Sequence, residues 1–94
     1  MYMLRIEHPV IDFDGWKKAF DSDPVGRKKS GVRRYRVLRP IDDPNYVMID
    51  LEFDSAGQAE VLLKAMRAVW GGVKGKIIMD PRARIVEAVE TREY

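Results

Sequence analysis

The chain contains no cysteine and a single histidine, and its formal net charge is only +2. Without cysteine there is no disulfide framework, thiolate metal site or iron–sulfur cluster. One histidine is too few for a His-rich ligand set, so no metal and no other cofactor is expected. The near balance of charge gives little support for a polyanionic partner. Long apolar runs are also lacking. Stretches such as Ile77-Ile78-Met79 are a few residues long, far short of the ~20 that a membrane-spanning helix needs. The chain enters a strand-like pattern at once, with no basic-then-apolar leader, so a cytoplasmic location without membrane contact is expected. What is present is 94 residues, 46% hydrophobic and 34% charged. That suits one folded domain over 1–94, burying roughly 60–65% of its unfolded surface.

Residues 2–8 alternate, with Leu4 and Ile6 on one side and Arg5 and Glu7 on the other, which predicts a half-buried strand ended by Pro9. Asp12 is a helix N-cap, followed by an apolar stripe of Phe13, Trp16 and Phe20. Asp23-Pro24 reads as the start of a short helical turn that Gly31 closes in a left-handed conformation. Residues 32–39 form a strand, with Tyr35 and Val37 opposite Arg34 and Arg36. Turn chemistry at 41–45 leads to the clearest strand, 46–53, in which Val47, Ile49, Leu51 and Phe53 alternate with Tyr46, Met48, Asp50 and Glu52. Ser55 caps a second helix bearing Ala59, Leu62, Leu63, Met66, Val69 and Trp70, and Gly71-Gly72 is expected to stop it. Residues 73–81 read as an ordered loop or short edge element. A last strand covers about 83–91, and either Val86 and Ala88 or Ile85 and Val89 face inward.

The order β-α-β-β-α-β predicts a ferredoxin-like α+β plait: a four-stranded antiparallel sheet, strand order 4-1-3-2, with both helices on one face. The helices then cover Leu4, Ile6, Tyr35, Val37, Val47, Ile49, Leu51 and Phe53. The other face carries Met3, Arg5, Glu7, Arg34, Arg36, Tyr46, Met48, Asp50 and Glu52. Asp50 and Glu52 fall between Arg5 on one side and Arg34 and Arg36 on the other, which helps set strand pairing. A solvated face would also look like this. Met3, Tyr46 and Met48 between paired charges favour a homodimer interface made of these nine residues.

Several segments resemble a known family. They are Asp12-Phe13-Asp14-Gly15-Trp16-Lys17-Lys18-Ala19-Phe20-Asp21, Gly31-Val32-Arg33-Arg34-Tyr35-Arg36-Val37 with Asp42-Asp43-Pro44-Asn45, and Asp50-Leu51-Glu52-Phe53-Asp54. This pattern resembles the dimeric α/β-barrel superfamily, which includes antibiotic-biosynthesis monooxygenase-like proteins and small actinobacterial-type domains of unknown function. The resemblance implies that two sheets pack face to face into an α/β barrel, with a small-molecule pocket between sheet and helices. The haem-degrading branch uses an Asn, a Trp and a helical His. Here His8 is on a strand and Asn45 in a turn, so haem is not expected.

His8 is the candidate base, since imidazole is the side chain best suited to proton transfer near neutral pH. A lone histidine is more often a structural hydrogen-bonding residue. Tyr35 is the candidate donor to a developing oxyanion. Trp16 and Trp70 are candidate walls of a pocket that holds a hydrophobic ligand, although inward aromatics usually just fill a core. The basic residues between Arg27 and Arg39 invite comparison with RNA-recognition domains of the same topology. Those place stacking aromatics on the sheet, whereas Asp50 and Glu52 here would repel phosphates, so nucleic acid is disfavoured. Gly71-Gly72-Val73-Lys74-Gly75-Lys76 lacks the strand–loop–helix context of a phosphate loop. Two functions remain open. One is a non-catalytic dimeric domain that binds a small molecule or supports a partner. The other is a cofactor-independent monooxygenase or cyclase-like enzyme acting on an aromatic or polyketide-like compound. The lack of a convergent polar set favours the first.

Overall fold

A computed structural model of the chain describes residues 1–73 and 79–94. The first strand, β1 (Tyr2–Pro9), leads to α1 (Phe13–Asp21), β2 (Arg34–Leu38), β3 (Tyr46–Phe53), α2 (Ala56–Val73) and β4 (Arg82–Glu87). Each helix begins where a side-chain oxygen satisfies a free backbone donor. Asp12 accepts from the Gly15 amide at 2.9 Å, and Ser55 Oγ accepts from the Gln58 amide at 3.2 Å. The strands form one antiparallel sheet in the order β2-β3-β1-β4. Register sets Tyr35, Leu51, Leu4 and Ile85 in one row across the inner, helix-covered face, and Val37, Ile49, Ile6 and Ala83 in the next. His8 lies opposite Val47 at the end of the same face. The buried core joins these residues to Trp16 and Phe20 of α1 and to Ala59 and Leu62 of α2.

The plait is as the pattern predicts, but the expected closure into a barrel does not occur. The sheet is open, with β2 and β4 as its two edges. Four short strands are too few to curl round on themselves, because about eight are needed for an interior just wide enough for side chains.

Locally the structure departs from the sequence pattern or resolves what the pattern left open. Residues 23–31 form a succession of turns rather than a short helix, because Asp23 itself adopts φ +53° and so cannot serve as an extended N-cap. Asp23 instead accepts from the Arg27 amide at 2.9 Å, and Gly31 takes the expected left-handed conformation at φ +96°. The strand predicted at 32–39 is limited to Arg34–Leu38. The second helix continues through Gly71-Gly72 to Val73. Each glycine costs about 1 kcal/mol relative to alanine, which a helix with Leu62, Leu63, Met66 and Trp70 packed in the core can absorb. On β4, Ala83 and Ile85 pack inward while Val89 lies beyond the strand and is exposed. The loop or edge element expected at 73–81 falls largely on 74–78, outside the described residues; Met79 donates its amide to the Pro9 carbonyl. Among the described residues no helix is long and apolar enough to cross a membrane.

Candidate functional site

Helix α1 turns its aromatic stripe toward the sheet. Trp16 stacks on Phe20 with ring centroids 5.1 Å apart, and Phe13 leans on Trp16 at 5.7 Å. Helix α2 approaches the same region with Met66, Val69 and Trp70. Between the two helices and the Ile6 and Ile49 side chains, the packing leaves a cavity of about 260 Å³. Its wall is apolar except at three places: His8, Ser22 and Arg27.

Strand period explains His8. Tyr2, Leu4, Ile6 and His8 share one side of β1, so the imidazole must enter the core, where it is 1% exposed. Its Nδ1 lies 3.0 Å from the Pro9 carbonyl, and its ring meets Trp16 edge-on at 6.0 Å. A carbonyl only accepts, so Nδ1 carries the proton and Nε2 is left as an acceptor. Burial pushes the imidazole pKa below its ordinary value and outweighs the opposing effect of the Pro9 bond. The ring is therefore neutral at physiological pH.

Arg27, which drew notice in the sequence only as part of a basic run, proves to be a cavity residue. Its guanidinium carbon sits 3.9 Å from the centre of the Phe20 ring and 5.0 Å from that of Tyr35. Nη1 donates to the Phe20 carbonyl at 2.8 Å and lies 3.5 Å from Asp23. The Asp23-x-x-x-Arg27 spacing was the one available signal, since residues four apart meet across a turn of helical pitch.

Of the four residues predicted for the pocket, His8, Trp16 and Trp70 come together in the cavity wall. Tyr35 does not. It lies on edge strand β2, 42% exposed, with its ring edge against Phe20, and it lines a second, more polar hollow on the far side of Arg27. Position on an edge strand decides this: Tyr35 points to the inner face but beyond the cover of the helices.

The nine residues predicted for the outer face lie there by register. Asp50 is 4% exposed and accepts from Arg5 Nε at 2.9 Å and Nη2 at 3.2 Å, with Arg36 Nη2 at 3.9 Å. Glu52 pairs with Arg34, and the Tyr46 hydroxyl donates to Glu7 Oε1 at 2.7 Å. That bond to a carboxylate raises the Tyr46 pKa. Arg82 and Arg84 belong to this face too, opposite Glu7 and Arg5. They were missed because alternation alone left the phase of β4 open. With Arg5, Glu7, Met48 and Asp50 they border a hollow of about 580 Å³. Among the described residues no three His, Cys, Asp or Glu side chains gather as a metal site.

No family model matches the chain, and no curated protein matches it by sequence. Solved structures do match in shape. The cofactor-independent oxygenase SnoaB from Streptomyces nogalater superposes with a TM-score of 0.77 at 12% identity, over 96% of this chain and 94% of that one. A protein of unknown function from Nitrosomonas europaea gives 0.75 at 13% identity, over 99% and 93%. A dimeric ferredoxin-like protein from an uncultured marine organism gives 0.66 at 11% identity, over 97% of each chain. At such identities the likeness is one of fold alone: the chain shares the ferredoxin-like fold of these structures.

Proposed function

We propose that the chain is a cofactor-independent, monooxygenase-like enzyme that takes a flat hydroxyaromatic compound into the cavity between its sheet and helices. One observation carries this reading: an apolar cavity of about 260 Å³ with a buried, neutral histidine in its wall. Sites for drug-sized molecules run from roughly 300 Å³ upward, so this one suits two or three fused rings. The fold shared with a cofactor-independent oxygenase supports the same reading.

The chemistry uses few protein groups. His8 Nε2 accepts a proton from a carbon acidified by a neighbouring phenol or ketone. The resulting carbanion is electron-rich enough to reduce dioxygen, and a new C–O bond forms as a hydroperoxide. Loss of water then leaves a ketone: one oxygen atom stays on the former methylene carbon, and the other leaves as water with the two hydrogens. The substrate supplies the electrons. The aromatic wall of Trp16, Phe20 and Trp70 holds the ring flat and limits competing water.

Trp16 and Trp70 both line the cavity, so tryptophan fluorescence reports its occupancy. Titration with a hydroxyanthrone should give saturable quenching, and an oxygen electrode should record uptake. His8→Gln should still bind but lose uptake by about 100-fold or more. Binding without uptake by the wild-type protein would instead support a non-catalytic ligand-binding domain. Absence of binding would make these side chains plain core.

The outer face supports a homodimer within the same proposal. Its acidic centre, flanked by arginines and by Met3, Met48 and Tyr46, is self-complementary in charge. Sedimentation at micromolar concentration should give about twice the 10.9 kDa chain mass. Arg34→Glu sets a like charge beside Glu52 and should shift the protein toward monomer. A wild-type monomer at high concentration would remove the dimer.

A further inference from the structure

We infer that the ligand of this cavity is an aromatic carboxylate, with its rings inside and its carboxylate held at the mouth by Arg27. The inference rests on the cavity reading above and specifies the substrate class. Arg27 borders two hollows at once: the apolar cavity on one side and, on the other, a groove of about 860 Å³ that also touches Tyr35 and Lys28. It is the only charged side chain in the cavity wall among the described residues. It is also held in place. The side chain is 13% exposed, the guanidinium lies over Phe20, and Nη1 is committed to the Phe20 carbonyl and Asp23.

The other side of the guanidinium is uncommitted. Among the described residues, Nε and Nη2 have no protein acceptor, and no buried side-chain nitrogen is left without a partner. Each of these two donors therefore keeps some accessible surface, on a side chain that borders both hollows. Nε and Nη2 together form the edge of the fork that grips a carboxylate through two parallel bonds. The nearby arginines are already engaged: Arg33 lies 3.6 Å from Asp54, and Arg34 pairs with Glu52. A fixed cation with two free parallel donors, at the rim of an apolar cavity, fits a ligand with a flat apolar body and one carboxylate.

Calorimetric titration with 2-naphthylacetate and its neutral amide, 2-naphthylacetamide, tests this directly. The wild-type protein should bind the carboxylate about tenfold more tightly than the amide, as charge-assisted bonds require. Arg27→Gln should bring the two affinities together, while Lys28→Gln should preserve the difference. If Arg27→Gln fails to fold, NMR of the wild-type protein decides: the carboxylate should shift the Arg27 Nε–H resonance downfield, as a charge-assisted bond requires, and the amide should leave it in place. Equal binding of the two probes, a preference that survives Arg27→Gln, or an Arg27 resonance unmoved by the carboxylate overturns the role of Arg27 and leaves the cavity reading intact. If neither probe binds, both fall together.

Discussion

The inner face of the sheet has two ends built from similar side chains and packed in different ways. At one end Leu4, Leu51 and Phe53 are wholly buried in a cluster with Ala59 and Leu62. At the other, Ile6, Ile49 and His8 are almost as inaccessible, yet they also line a cavity. His8 and Leu62 have the same exposure, 1%. Burial alone therefore does not separate structural residues from candidate functional ones. The difference lies in what stands opposite: Ala59 and Leu62 of α2 join the packed end, whereas Trp16, Phe20 and Trp70 line the cavity at the other.

Removing volume at the packed end should have the largest effect. Leu51→Ala should cost about 2–5 kcal/mol, because the lost transfer energy is joined by the cost of a new void. Urea denaturation would measure it, and a cost below 1 kcal/mol would mean that this end is as loosely packed as the other. Adding volume at the cavity end should do the opposite. Val69→Phe should leave stability unchanged or raise it by about 0.5–2 kcal/mol, while abolishing the quenching by hydroxyaromatic ligands. Strong destabilisation would show that the space is needed by the core.

The pH dependence of stability sharpens the comparison further, since only the cavity end buries a titratable ring. The His8 pKa in the folded protein lies below its ordinary 6.5 because burial disfavours the imidazolium. In the unfolded chain the ring takes up its proton near 6.5. Between those two values the unfolded state binds more protons, so stability rises with pH there. The contribution of His8 is complete above about 6.5 and declines as pH falls from that point. Urea midpoints of the wild-type protein should therefore drop between pH 7.5 and 5.5 by more than those of His8→Gln. Equal slopes would place the imidazole in contact with water. The smallest effect is expected at Tyr35. Its hydroxyl is outside the cavity, so Tyr35→Phe should leave both melting temperature and ligand binding within error. Loss of binding would return Tyr35 to the site.

Period-two alternation in β1 and β3 was enough to assign Leu4, Ile6, Val47, Ile49, Leu51 and Phe53 to the core, and Arg5, Asp50 and Glu52 to the outer face. Both strands pair on two sides, so pleat and register leave no freedom in where their side chains point. Edge strands carry less information. Arg82 and Arg84 were not placed because Ile85 and Val86 are adjacent and equally apolar, and only pairing with Leu4 and Met3 settles the phase. Tyr35 faces inward as its phase requires, but how far the helices extend over β2 is a property of the assembled layers. Gly71-Gly72 shows the same limit: the intrinsic cost of glycine is local, and the tertiary packing that outweighs it is not.

The amino-acid sequence by itself determined the order of elements, the caps at Asp12 and Ser55, the two faces of the central strands and the presence of His8 on the inner one. These follow from interactions among residues near in the chain, or from the strict alternation of a pleated strand. Only the tertiary structure decided that the sheet stays open, that Arg27 reaches back over Phe20 to the rim of a cavity, and that Tyr35 lies beyond it. The open sheet follows from its having only four strands, and the other two from how the helices lie over the sheet, which is written in no single segment of the chain.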